Sequence, residues 1–170
     1  ALSVGLGVPT HQLDTTIYTL LVERGHDIRD VIQKTATENL DVVPANIDLS
    51  AAEVQLVGEV AREQILARVL RPVLDDYDVI LVDCQPSLGL LTVNALACAD
   101  TVLIPMECEY FSLRGLALLT DTIEKVRDRL NFRLTLGGIL VTMFDARTLH
   151  SREVMARVVE RFGGGEPRPG

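Results

Sequence analysis

The chain has no tryptophan, three tyrosines and four phenylalanines, and its three cysteines show no CxxC spacing. With so few aromatics and 48% hydrophobic residues, the core has to be built from Val, Leu, Ile and Ala, a composition that suits an α/β protein. An odd number of cysteines excludes a fully paired disulfide framework, so Cys84, Cys98 and Cys108 read as reduced thiols, used as small packing residues. No apolar run approaches the roughly 18 residues that a membrane-spanning helix needs. No basic stretch followed by a cleavage site opens the chain, and the expected location is therefore the cytoplasm. The formal net charge of −8 excludes a protein that coats DNA with its whole surface, because phosphate contacts need Lys and Arg.

Lysine is the most informative shortage. The phosphate-cradling pattern GxxxxGK[ST] needs a Lys preceded by Gly, and the two lysines are Lys34 after Gln33 and Lys125 after Glu124. Neither fits. His11, His26 and His150 have no partner at ligand or triad spacing, and Ser87 lacks the GxSxG surroundings of a hydrolase nucleophile. Charge is also uneven: through Leu113 the chain carries 6 basic and 17 acidic residues, and from Arg114 onward 10 basic and 7 acidic. A face that meets nucleic acid would belong to the C-terminal half, although arginines on solvated helix faces give the same count.

Against these absences stands YDVILVDCQPSLG, Tyr77 to Gly89. Val79, Ile80, Leu81 and Val82 form an apolar run without alternation, which predicts a strand buried on both faces by helices. Asp83 follows at once. An unpaired carboxylate is costly to bury, so this acid belongs at the sheet edge, facing a cation, N–H groups or water. Pro86 stops the strand, Ser87 can cap a helix, and Gly89 keeps the turn thin. A strand delivering one acid to the carboxyl edge of a parallel sheet is how a Walker B Asp holds Mg²⁺ on a nucleotide. A solvated strand-end Asp has the same local sequence.

Read in order, ALSVGLGVPT at the start resembles the exit from a site, and a short helix follows, capped by Asp14 or Thr15 and ended by Gly25. Asp27 to Gln33 reads as a helical turn, and Leu40 to Val43 as a brief strand stopped by Pro44. Ser50 and Glu53 make a capping box for a long helix that Pro72 ends. Leu88 to Ala99 is a buried helix, and Thr101 to Pro105 and Leu136 to Phe144 are inner strands. Leu113, Leu116, Leu119, Ile123, Val126 and Leu130 line one helix face, and Met155, Val158, Val159 and Phe162 another, from about Leu149. Strand and helix alternate four times. This predicts an α/β fold of three layers, with a mostly parallel sheet and helices on both faces, over a single domain, residues 1–162. The Gly/Pro-rich tail 163–170 is expected to be disordered.

Ligands of open parallel sheets bind beyond the carboxyl ends of the strands. Three expected inner strands end there in unusual residues: Asp83-Cys84-Gln85-Pro86, Pro105-Met106-Glu107-Cys108-Glu109 and Thr142-Met143-Phe144-Asp145. Converging, they offer an acid for a metal, backbone for phosphate and a mixed surface for a base. Singly, Glu107 and Glu109 read as rim charges.

The run from Tyr77 to Leu130, continued by GGILVTMFDARTLHSREVMARVVERF, closely resembles the ParA/Soj family of chromosome- and plasmid-partitioning ATPases. VPANIDLSAAEVQL and SVGLGV resemble the same family, so the likeness covers about Ala1 to Phe162. It implies a P-loop NTPase-like fold, with Asp83 as the catalytic Walker B acid ordering Mg²⁺ through water. Gln85 and Pro86, with Ser87 to Gly89, would form the loop that senses the γ-phosphate. Thr142, Met143, Phe144 and Asp145 would border the adenine pocket. It further implies ATP as cofactor, an ATP-dependent homodimer, nonspecific DNA binding, a ParB-type centromere-binding partner and a place on the nucleoid; Arg147 and Arg152 are the candidate DNA contacts. Three departures accompany the likeness. The family's lysine-bearing P-loop and the DxDPQ strand end are absent, Gln85 stands where many relatives have a second Pro, and the tail 163–170 replaces the closing strand and helix. The chain is thus expected to be a piece of such an ATPase, incomplete at both ends, and to hydrolyse no ATP alone.

A MinD-like cell-division ATPase would call for an amphipathic basic C-terminal helix, and the tail is not one. A receiver-like domain with Asp83 as phosphoacceptor would pair it with acids near the first strand and a late Lys, which are missing. A catalytically silent partner-binding module of the same fold is a further alternative.

Overall fold

The computed structural model describes residues 2–107, 113–142, 147 and 149–162. In chain order these form α1 (Leu2–Gly5), α2 (Ile17–Val22), α3 (Ile28–Val31), β1 (Gln33–Lys34), β2 (Asp41–Val42), α4 (Leu49–Gln55), α5 (Ile65–Leu70), α6 (Leu90–Cys98), β3 (Thr101–Glu107), α7 (Leu113–Arg129), β4 (Thr135–Thr142) and α8 (Leu149–Phe162), with short 3-10 turns between several of them.

β3 and β4 pair in parallel, joined through α7 as expected of a strand–helix–strand unit. The register runs from Thr101 opposite Thr135 to Glu107 opposite Thr142 and slips between Val102 and Leu103. Gly137 is the residue passed over, and a Cβ there would lie 2.3 Å from the Thr101 methyl. Any larger residue at 137 would have to displace that side chain, whereas at Gly138 it is the positive φ of 155° that favours glycine. Ile104 packs with Leu116, Ile123 and Val126 of α7 and with Leu96 of α6. Met106 packs with Val154 and Val158 of α8. These α7 contacts belong to the stripe read from the sequence, whereas α8 buries Val154 with Val158 and leaves Val159 exposed. On the other side Leu103 and Leu140 stay 63% and 59% exposed.

A second core joins α2, α4, α5 and α6 through Leu21, Ala52, Leu56, Leu66 and Ala95. β1 and β2 form an antiparallel pair rather than one isolated strand. The long helix expected from Ser50 is broken. α4 stops at Gln55, Glu59 is extended and Ala61 has a left-handed φ of 54°, before α5 restarts the chain. Gly58 weakens the helix at this point. α5 ends at Leu70 with Arg71 as its cap, just ahead of Pro72 as expected, and Pro72 sits in the first turn of a 3-10 segment, Arg71–Val73, where its missing N–H costs nothing. The short helix α2 is capped by Thr16, whose backbone N–H donates to Thr19 Oγ1, rather than by Asp14 or Thr15.

The largest correction concerns Val79 to Val82. This segment is not a strand, and Val79 and Leu81 are 71% and 84% exposed. Among the described residues its backbone makes no backbone hydrogen bond. An apolar run supplies side chains for a sheet, but a strand exists only when neighbouring backbones complete its ladder.

The tail 163–170 lies outside the described residues, as do Cys108 and Glu109. No described helix is long and apolar enough to cross a membrane.

Candidate nucleotide site

The candidate residues fall on the segment after Val82 and on the carboxyl ends of β3 and β4; β4 is the strand that pairs with β3, and among the described residues no hydrogen bond joins residues 83–89 to either strand. Asp83 is exposed, and no described residue hydrogen-bonds or ion-pairs with its side chain. Gln85 and Pro86 are exposed beside it, in a tight turn where Ser87 N–H donates to Gln85 O at 2.7 Å. The turn leads directly into α6. Thr92, buried in the first turn of that helix, donates from Oγ1 to Ser87 O at 2.7 Å. Glu53 reaches across from α4, and its Oε1 accepts the Leu91 N–H at 3.3 Å. The capping box read from Ser50 and Glu53 therefore does not form. Ser50 Oγ donates to Ile47 O, and Glu53 caps a different helix.

Glu107 and Thr142 are register partners at the ends of β3 and β4, and Thr142 Oγ1 donates to Met106 O at 3.4 Å. Met143, Phe144 and Asp145 lie outside the described residues. Arg147 and Arg152 are both exposed, Arg152 in the first turns of α8.

Sequence reasoning missed the polar groups that fix α6. Asn94 is 1% exposed. Its Oδ1 accepts Leu66 N–H at 3.0 Å, and its Nδ2 donates to Arg62 O at 2.8 Å and Leu90 O at 3.0 Å. Asn131 Nδ2 donates to Leu96 O and Ala99 O near the other end of the helix. A lone Asn in the apolar run LLTVNALAC was the available signal, since a buried amide must find partners. Another polar cluster lies ahead of the site: Asp41 Oδ2 accepts from Lys34 Nζ and Tyr77 Oη, both at 2.7 Å. These bonds hold the Asp41 carboxyl below its ordinary value, that to Lys34 most strongly, and Tyr77 is raised chiefly by the bond to Asp41.

The donor set suits one part of a magnesium–nucleotide site. Mg²⁺ keeps several waters and is commonly held through one or two carboxylates, and an exposed, unpaired Asp83 can serve that way. A cluster of three His, Cys, Asp or Glu that would bind a metal by itself is absent among the described residues. Neither lysine stands ready for phosphate, because Lys34 pairs with Asp41 and Lys125 with Asp121 at 2.6 Å. His26 faces Glu23 at 3.0 Å on the surface, away from any triad.

Comparison with known proteins gives a consistent picture. The model of the family described as "AAA domain" matches residues 1–136. An uncharacterized protein of Mycobacterium tuberculosis, Rv1708, is 68% identical over 96% of this chain and 51% of its own length. The chromosome-partitioning ATPase Soj of Treponema pallidum is 48% identical, over 95% of this chain and 62% of its own. This chain thus spans between half and two thirds of the length of these curated relatives. Among solved structures, a Mycobacterium smegmatis protein described as cobyrinic acid a,c-diamide synthase, with bound ATP analog and magnesium, superimposes with a TM-score of 0.90. It is 36% identical, over 99% of this chain and 68% of that one. A plasmid partition protein of Borrelia burgdorferi gives a TM-score of 0.68 at 26% identity, over 96% of this chain and 64% of that one.

Proposed function

Because the chain belongs to the ParA/Soj family of partitioning ATPases, we propose that it supplies the metal-facing acid and the phosphate-sensing loop of such an ATPase. The activity couples ATP binding, dimerisation and nonspecific DNA binding to chromosome or plasmid segregation. The observation that carries this reading is Asp83, an exposed and unpaired carboxylate at the mouth of the QPSLG turn, which is fastened to the first turn of α6.

Bound Mg²⁺ would neutralise charge on the terminal phosphates, the main requirement of phosphoryl transfer. Asp83 would hold the metal through its waters, and Gln85 and Pro86 would meet the γ-phosphate. Thr142, Met143, Phe144 and Asp145 would border the base. Arg147 and Arg152 would contact DNA phosphates, which position a protein without reading sequence. A ParB-type protein is the proposed partner, and the nucleoid the proposed location.

The test is ATP turnover by the protein as its gene encodes it. Asp83→Ala should lower Mg²⁺-dependent turnover by about a hundredfold or more, the scale of losing one preorganised charge-stabilising group. Unchanged turnover removes Asp83 from the site. The synthase-named structure offers amide synthesis as a second reading at lower identity. Salt-sensitive DNA binding that Arg152→Ala weakens supports partitioning, and its absence in the ATP-bound protein supports the other.

A further inference from the structure

We propose that Glu53 is a positioning residue for the loop Asp83 to Gly89, a role that rests on the reading of that loop given above. Glu53 is set firmly. Ala52 on α4 and Leu56 just past its end are 0% and 1% exposed in the core shared with α6. From there the carboxylate passes over Gly89 to accept the Leu91 N–H.

Gly89 is what lets it through. A Cβ at Gly89 would lie 2.1 Å from Glu53 Oε1 and 2.7 Å from its Cδ, so any side chain there pushes the carboxylate away. The backbone at Gly89 does not itself require glycine, since φ −76° with ψ −175° is open to every residue. Glycine is needed here for space.

The contact governs the loop because few others do. Thr92 Oγ1 bonds Ser87 O, and Val93 N–H bonds Gly89 O at 3.1 Å. Apart from Cys84 Sγ, which donates to Val82 O at 3.7 Å, no other hydrogen bond among the described residues joins residues 83–89 to the rest of the chain. The loop therefore hangs from the first turn of α6, and Glu53 fastens that turn to α4. Its effect on turnover would pass through Leu91, Thr92 and Ser87 to Asp83.

The experiment is hydrogen exchange over residues 85–92 in the gene-encoded protein, with ATP turnover measured alongside. Glu53→Ala should speed exchange at Leu91 by about tenfold, the scale of a lost cap. Gly89→Ala should do the same by displacing the carboxylate. Glu53→Gln should stay near wild type, because its amide oxygen accepts the same N–H. The double variant Glu53→Ala/Gly89→Ala should exchange no faster than Glu53→Ala alone, since both remove one contact. kcat should fall with exchange while KM for ATP changes less. Unchanged exchange in Glu53→Ala, fully additive effects, or faster exchange with unchanged kcat overturns the proposal. A wild-type protein that hydrolyses no ATP overturns the ATPase reading instead, and the exchange pattern still decides whether Glu53 holds the loop.

Discussion

Replacing Asn94 by Ala tests the packing that carries the site. The side chain lies in the core between α6 and the start of α5, where it accepts one backbone N–H and donates to two carbonyls at 2.8 to 3.0 Å. Alanine leaves the Leu66 N–H, in a residue only 8% exposed, with no partner, and the Arg62 carbonyl loses its donor. A buried backbone group left unpaired costs about 1–3 kcal/mol, and the space vacated by the amide adds to that, so the loss should be about 2–4 kcal/mol. The assay is urea unfolding of the gene-encoded protein. With a slope of about 2 kcal/mol/M, the midpoint should fall by about 1–2 M without a change in slope. Asn131→Ala is the comparison. Asn131 is only half-buried and donates to helix carbonyls, so its loss should cost about 1 kcal/mol. A midpoint for Asn94→Ala within about 0.3 M of wild type would refute the claim that Asn94 is what satisfies the Leu66 N–H.

The 170-residue chain alone should release no phosphate from ATP above background, because it has no Gly-Lys pair; turnover that Asp83→Ala abolishes would contradict this. Asp41, depressed by Lys34 and Tyr77 from its ordinary value of 3.8, stabilises the fold above that value, and the contribution disappears as pH falls through the lower folded value. The Tm difference between wild type and Asp41→Asn should therefore be constant from pH 7 to about pH 5 and shrink below about pH 4; a difference that holds at pH 2.5 would argue against it. Burial pushes the Cys98 thiol up to about 11, so iodoacetamide at pH 8 should label it only in unfolded protein, as peptide mass spectrometry can show. Leu116→Ala, at a side chain 1% exposed beneath β3, should cost about 2–5 kcal/mol in the same urea assay.

Much of the secondary structure was legible locally. The stripe Leu116, Ile123, Val126 fixes which side of α7 meets the sheet, and the strands read at Thr101 to Pro105 and from Leu136 became the parallel pair Thr101–Glu107 and Thr135–Thr142. The missing Gly-Lys pair needed no structure, and the acid after Val82 is exposed as expected, although no strand leads up to it. What misled were patterns with two readings. Ser50 and Glu53 have capping-box spacing, but Glu53 bonds Leu91, 38 residues away. The stretch from Ser50 to Leu70 has helical periodicity, but periodicity does not register a left-handed Ala61.

The sequence by itself determined the α/β class, the buried face of α7 and the presence of one acid before a Pro-Ser-Leu-Gly turn, because each depends on neighbours within a few residues. Tertiary structure alone decided that Val79 to Val82 has no ladder, that Asn94 joins α6 to α5, and that Gly89 gives the Glu53 carboxylate room. Each depends on what stands beside the segment in space. A backbone hydrogen bond or a 2 Å clearance is set by a residue tens of positions away, and no local pattern encodes that distance.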